Sequence, residues 1–147
     1  MTYTGPTDFP VIAVGDVHDG DTYWLTLDLG LRTHREINVR LDGFDCPEID
    51  GPSKNEQQKA REARDLANGW LRQEVLMGKL RVVTGKDPLT WNRWVGDVYT
   101  RLPSGSPFRL GDILTVERLA VPWHKAGDKK WHEVYDLGVT TSPPTGG

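Results

Sequence analysis

Hydrophobic and polar residues alternate in two stretches of the first third of the chain. In residues 23–29 every second position is aliphatic or aromatic, and residues 36–42 repeat the pattern. A period of two is typical of β-strands with one buried face. A short apolar run at 10–17 precedes both stretches. We therefore predict three strands, of which the second and third form a hairpin that turns about residues 30–32.

A helical pattern follows the hairpin. Ser53 with Glu56 three residues later has the form of a capping box at a helix N-terminus. Small and apolar residues then recur at helical spacing between residues 60 and 71, and Gly78 is a suitable residue to end the helix. We predict one long helix between Ser53 and Gly78.

The second half of the chain predicts two more strands and a second helix. The strands lie near 79–84 and 93–101, and the helix lies near 109–118. The residues expected to point inward from this helix are Ile113, Leu114 and Val116. This order of elements favours an α+β fold, a five-stranded OB-fold β-barrel with two packed helices. A mixed open sheet is the alternative.

The length of the chain indicates one domain. A chain of 147 residues can build a single sizeable core but not two. We place the folded domain at 10–138, after an N-terminal extension at 1–9. Residues 139–147 are mostly Pro, Gly, Ser and Thr, and we expect a disordered tail there because they have little to bury.

Charge and cysteine content exclude some classes of protein. Eighteen basic against 21 acidic residues give a net charge of −3, so a polyanionic partner would need local basic groups or a bridging metal ion. A single cysteine, Cys46, excludes an internal disulfide and a multi-cysteine zinc site. No signal peptide or membrane-spanning run is visible. We expect a soluble protein with no membrane partner, cytoplasmic as written, or secreted if a signal was removed.

Acidic residues are concentrated in "DVHDGDTYWLTLD", just before the predicted hairpin. If paired positions in the hairpin sum to about 62, Asp21 lies beside Arg40 at one end of it. The following loop, "GFDCPEI", brings Asp45 and Glu48 within reach. Such carboxylates repel one another unless a cation neutralises them, and a hard divalent ion is the natural candidate. The alternative is a tight turn with a solvated acidic surface.

Four segments together resemble the staphylococcal (micrococcal) nuclease or thermonuclease-like family. They are "HDGDT" (18–22), "VRLDGFDCPEI" (39–49), "WNRWVGDVY" (91–99) and "ERLAVPWHKAG" (117–127), in that order and with a helix after the second. The resemblance covers about residues 11–127. The family has a five-stranded OB barrel with helices, which agrees with the fold predicted from periodicity.

The resemblance implies a calcium (Ca2+) cofactor and a set of site residues. Those that match the family's calcium ligands are Asp21, Asp45 and, through its backbone carbonyl, Cys46. Those that match its catalytic positions are Arg40, Glu48 and Arg93, with the glutamate activating water. Trp91 precedes the second arginine and is expected to stack on a base or sugar of the substrate, with simple packing as the alternative.

The implied activity is calcium-dependent hydrolysis of phosphodiesters. Single-stranded or breathing DNA, or RNA, would be cut to 3′-phosphate and 5′-hydroxyl ends by a monomeric enzyme. Two alternatives stay open: a non-catalytic OB-fold module that binds nucleic acid, and an interaction protein whose acidic cluster only solvates a loop. The presence of Arg40, Glu48 and Arg93 together favours the enzyme.

Overall fold

The computed structural model describes residues 7–86, 93–125 and 127–136. Trp91 and the predicted tail at 139–147 lie outside the described residues. The strands are β1 (Asp8–Asp19), β2 (Thr22–Asp28), β3 (His34–Leu41), β4 (Phe44–Asp45), β5 (Arg81–Lys86), β6 (Arg93–Arg101), β7 (Pro107–Arg109) and β8 (Val121–Pro122). The helices are α1 (Lys54–Leu76), α2 (Leu110–Val116) and α3 (Trp131–Tyr135). The first strand thus begins two residues before the predicted domain boundary.

Five strands form a closed barrel. The sheet order is β3-β2-β1-β5-β6-β7, and an additional pairing of β3 with β6 closes the ring. This closing pair is parallel and runs from Asn38 opposite Arg93 to Leu41 opposite Gly96. Gly96 is required there, because a Cβ would lie 2.9 Å from a methyl group of Val39. The predicted OB-like α+β fold is confirmed, and the alternative of an open sheet is wrong.

The β2–β3 hairpin has the predicted register. Thr22 pairs with Arg40, and the Leu41 N–H donates to the Asp21 carbonyl at 2.7 Å. All three residues of the turn at 30–32 have positive φ, which glycine tolerates well at the first of them. The hairpin therefore places Asp21 and Arg40 at the same end of the barrel.

Helix α1 packs closely against the barrel. The Oγ of Ser53 accepts a hydrogen bond from the Glu56 N–H at 2.9 Å and caps the helix as predicted. The buried apolar residues of α1 are Ala60, Ala63, Ala67 and Leu71. The three alanines allow a near approach, since a Cβ on Gly20 would lie only 2.7 Å from the Ala63 Cβ. The turn between β1 and β2, which carries two aspartates, is held against the helix in this way.

Helix α2 buries Leu114, as predicted, but not Val116. Leu110, Gly111 and Leu114 are buried, and Ile113 is partly buried. The prediction that Val116 points inward is wrong, because its side chain is 80% exposed. The helix begins at Leu110, so residues one and four positions later share its buried face, and a residue two positions beyond Leu114 lies on the opposite side.

A third helix, α3, was not predicted. Trp131 at its start is buried, and its indole N–H donates to the Arg118 carbonyl at 2.9 Å. Just after the helix, the Asp136 carboxylate accepts hydrogen bonds from Ser53 and from the Asn55 amide. The segment is thereby fixed to the N-terminus of α1. None of the helices in the described part of the chain is long and apolar enough to cross a membrane.

Candidate functional site

The predicted charged side chains meet in one open cleft of about 440 Å³ at the end of the β2–β3 hairpin. The predicted site residues that line the cleft are Asp21, Arg40, Asp45, Glu48 and Arg93. Other residues on its walls include His18, Asp19, Trp123 and Lys130. Residues far apart in the sequence are brought together here by the hairpin, the barrel closure and the loop after β4.

Asp21 lies at the start of the hairpin and is almost completely buried. One carboxylate oxygen accepts a hydrogen bond from the Cys46 N–H at 3.2 Å, and the other accepts from the Thr22 hydroxyl at 3.2 Å. The Cys46 side chain is buried beneath Gly20, and burial raises the pKa of its thiol well above the usual value. The thiol is therefore not expected to act as a thiolate. Cys46 therefore contributes to this site through its backbone.

Asp45 is held by the C-terminal segment and by a short strand pair. It lies on β4 opposite Val121 of β8. One of its oxygens accepts a hydrogen bond from the Trp131 N–H at 2.8 Å. The Arg40 guanidinium lies 3.6 Å from its other oxygen and 3.9 Å from the nearer oxygen of Asp21. Arg40 is thus the positive group that faces both carboxylates.

Asp19 is a third buried acid at the site and is not among the predicted site residues. Its Oδ1 is fully buried and has no hydrogen-bond partner among the described residues. Its carboxyl group also lies within hydrogen-bonding reach of Asp21. The signal for it was present, because "DGDT" carries two aspartates flanking one glycine.

The acidic cluster has too little positive charge around it. The pKa of Asp21 is raised to about 7, chiefly by burial and then by the adjacent Asp19, while Arg40 and the Cys46 N–H lower it by less. Burial also raises the pKa of Asp45, against the opposing effect of the Trp131 N–H. Carboxylates in this situation either hold a proton or bind a cation. Their oxygen donors suit a hard divalent ion such as calcium.

The donor atoms in the cleft are of the type that a hard metal ion binds. Asp21 and Asp45 offer anionic oxygens, and the unpartnered oxygen of Asp19 adds to the local negative charge. Among the residues that the structure describes, no group of three or more His, Cys, Asp or Glu side chains is arranged as a metal site. Two carboxylates with backbone oxygens and water are compatible with calcium, which accepts a mixed and flexible set of oxygen ligands.

The two arginines lie on paired strands at the barrel closure. Arg93 is the first residue of β6 and pairs with Asn38, two positions before Arg40 on β3. The Trp123 ring lies 5.6 Å from the central carbon of the Arg40 guanidinium, a distance suited to a cation–π contact. Trp123 was not predicted as a site residue, although it lies in the "ERLAVPWHKAG" segment.

Glu48 lies on the rim of the cleft. Its side chain is exposed, and its backbone N–H donates to the buried Glu56 carboxylate at 3.0 Å. The Glu56 side chain therefore bonds to this loop, whereas the predicted capping box would direct it to Ser53. The exposed carboxylate of Glu48 faces the same cleft as the arginines.

Comparison with protein-family models gives no match, and no curated protein shows significant sequence similarity to the chain. The likeness to the thermonuclease-like family therefore stays a prediction from four short segments. Any function assigned to the cleft depends on the residues that line it.

Proposed function

We propose that this protein is a calcium-dependent phosphodiesterase that cleaves DNA or RNA to 3′-phosphate and 5′-hydroxyl ends. One observation carries the proposal: a single cleft joins two arginines and an exposed glutamate to buried carboxylates that lack sufficient positive charge. A structural salt-bridge cluster would neutralise its own acids. This cleft is suited to a cation and a phosphate.

The calcium ion would be held by Asp21 and Asp45, with the Cys46 carbonyl as a third ligand from the protein. When bound, calcium would supply positive charge that polarises a phosphate oxygen. Both carboxylates are held in place before any ion arrives, by the Cys46 N–H and the Trp131 N–H respectively. Magnesium would fit less well, because it demands a stricter octahedral arrangement.

Arg40 and Arg93 would bind the reacting phosphate. Phosphodiester hydrolysis passes through a transition state with more negative charge on the phosphoryl oxygens, and donors aimed at those oxygens accelerate the reaction. A planar guanidinium can donate two parallel hydrogen bonds, which an ammonium group cannot. The Trp123 ring restricts the Arg40 guanidinium on one side, so less motion is lost when phosphate binds.

Glu48 would orient or deprotonate the attacking water. Its exposed carboxylate on the rim of the cleft is free to accept a proton from a water molecule that enters from solvent. Its backbone, in contrast, is tied to α1. An exposed carboxylate on a fixed backbone suits a general base.

The test is to incubate the protein with denatured DNA and with RNA, in calcium or in excess chelator. We expect cleavage in calcium only, and loss of cleavage in Asp21→Ala and Asp45→Ala variants that still fold. Asp65→Ala is the matched control, because Asp65 is an exposed aspartate on α1 and does not line the cleft. Cleavage that persists in excess chelator would contradict the proposal.

The chemistry of the product ends gives a second criterion. Polynucleotide kinase should label the 5′ ends directly, without prior phosphatase treatment. Calcium-dependent binding of oligonucleotides with no cleavage would instead support the non-catalytic OB-fold module.

A further inference from the structure

Glu56 is a buried acid that the proposed reaction does not use. It lies in the first turn of α1, and its side chain is only 2% exposed. A carboxylate in the first turn of a helix gains from the helix dipole. Burial of a charged group is nevertheless costly unless it makes specific hydrogen bonds. The contacts of Glu56 indicate what it does.

The Glu56 carboxyl group contacts the loop that carries Glu48. The Glu56 Oε2 accepts a hydrogen bond from the Glu48 N–H at 3.0 Å. Gly51 packs directly on the same carboxyl group, since a Cβ there would lie 2.7 Å from the Glu56 Oε1. That oxygen has no hydrogen-bond partner among the described residues. The loop between Glu48 and Gly51 therefore folds over the Glu56 carboxylate.

The neighbouring helix residue holds the other end of the loop. The Gln57 side-chain amide donates to the Gly51 carbonyl at 2.9 Å. Within the loop, the Gly51 N–H donates to the Glu48 carbonyl at 2.9 Å. Two consecutive side chains of α1 thus bind both ends of one turn. Ser53 fixes the start of α1 through its bond to the Glu56 N–H.

We propose that Glu56 is a positioning residue that holds the backbone of Glu48 so that its carboxylate stands in the cleft, with Gln57 as a second support. The inference rests on the proposed function, in which Glu48 acts on water. Glu56 does not touch substrate. It acts through the Glu48 N–H, and Gly51 is required because a larger residue would displace the carboxylate.

The variants separate this role from a general structural one. Glu56→Gln keeps an acceptor oxygen at the same reach, whereas Glu56→Asp is one methylene too short for the Glu48 N–H. Displacement of a catalytic group by about 1 Å costs about 100-fold in rate. We expect Glu56→Asp to lower kcat by about 10-fold to 100-fold with KM and calcium affinity nearly unchanged, and Glu56→Gln to stay within about 3-fold of wild type. Glu62→Asp, at an exposed site on the same helix, is the matched control.

Hydrogen exchange of the Glu48 amide provides a readout that needs no activity. We expect this amide to exchange at least about tenfold faster in Glu56→Asp, while the barrel amide of Val39 keeps its protection. Gln57→Ala should accelerate the same exchange more mildly and serves if Glu56→Asp does not fold. Unchanged exchange in the folded variants would overturn the proposal.

The failure of this inference and the failure of the proposed function are distinguishable. If the wild-type protein cleaves no nucleic acid, the proposed function is wrong, and the exchange experiment still decides whether Glu56 holds the loop. If Glu48 exchange accelerates while kcat is unchanged, the loop is held by Glu56 but this does not position a catalytic group. In both cases the reference variant is Glu56→Gln, because it keeps the acceptor oxygen.

Discussion

Replacing Asp21 with asparagine should stabilise the calcium-free protein at neutral pH. The Asp21 side chain is buried, and its pKa rises from 3.8 to about 7 because of burial and the adjacent Asp19. Between these two pH values the folded state binds more protons than the unfolded state, so stability falls as the pH rises. Asparagine is neutral at every pH and avoids this loss. Its amide can also donate a hydrogen bond to the adjacent Asp19 carboxylate.

The size of the effect follows from the two pKa values. Each pH unit between them is worth about 1.4 kcal/mol, so the loss reaches about 4 kcal/mol above pH 7. At pH 5 less than half of it has developed. The attraction to Arg40, 3.9 Å away, is already included in the raised pKa of Asp21. We expect Asp21→Asn to gain about 2 to 4 kcal/mol over wild type at pH 8, and clearly less at pH 5.

Urea unfolding in excess chelator at several pH values measures this difference directly. Added calcium should then stabilise wild type, by linkage of binding to folding, and leave Asp21→Asn unchanged. Asp65→Asn, at an exposed site, should follow wild type throughout. An Asp21→Asn variant that is less stable than wild type at pH 8 in chelator would contradict this expectation, as would a difference that does not grow with pH.

The remaining predictions concern two positions that are catalytic under the proposed function, and two glycines. Arg93→Lys and Glu48→Gln should each lower turnover about 100-fold, or roughly 3 kcal/mol, in steady-state kinetics. Titration calorimetry should show a much smaller loss of calcium-dependent nucleotide affinity. Wild-type rates in both variants would contradict their roles. Gly69→Ala should raise the free energy of unfolding by about 0.5 to 1 kcal/mol, because Gly69 is an exposed helical position with open space around it. Gly111→Ala should lower it by about 1 to 3 kcal/mol, because a Cβ would overlap the Phe44 ring. Urea midpoints measure both changes in stability. A shift of opposite sign at either glycine would show that its surroundings differ from those described.

The hairpin and the long helix could be predicted because their determinants are local. Alternating polarity on both sides of a short turn sets the register, and a one-residue slip would move the buried side chains Tyr23 and Val39 to solvent. Ser53 marks the start of α1 for the same local reason, since its side chain caps the helix three residues on. From the register alone, Asp21 could be placed beside Arg40.

Features that depend on distant contacts could not be predicted in the same way. Glu56 matches a capping box in sequence, but a nearby loop offers its carboxylate the Glu48 N–H. The short α3 has too few residues for a periodic pattern, and its position depends on contacts such as that between Trp131 and Arg118. Trp123 is recognisable as a site residue only once its ring is seen beside Arg40.

The parallel pairing of β3 with β6 determines when the cleft is complete during synthesis of the chain. Arg40 and Arg93 lie on opposite strands of this pairing, and Arg93 leaves the ribosome long after Arg40. Contacts between segments so far apart in the chain form late in folding, because a large loop must close first. A nascent or truncated chain that ends before β6 has only one of the two arginines. Under the proposed function, nucleic acid near the ribosome would therefore not be cleaved until the last strand of the barrel has docked.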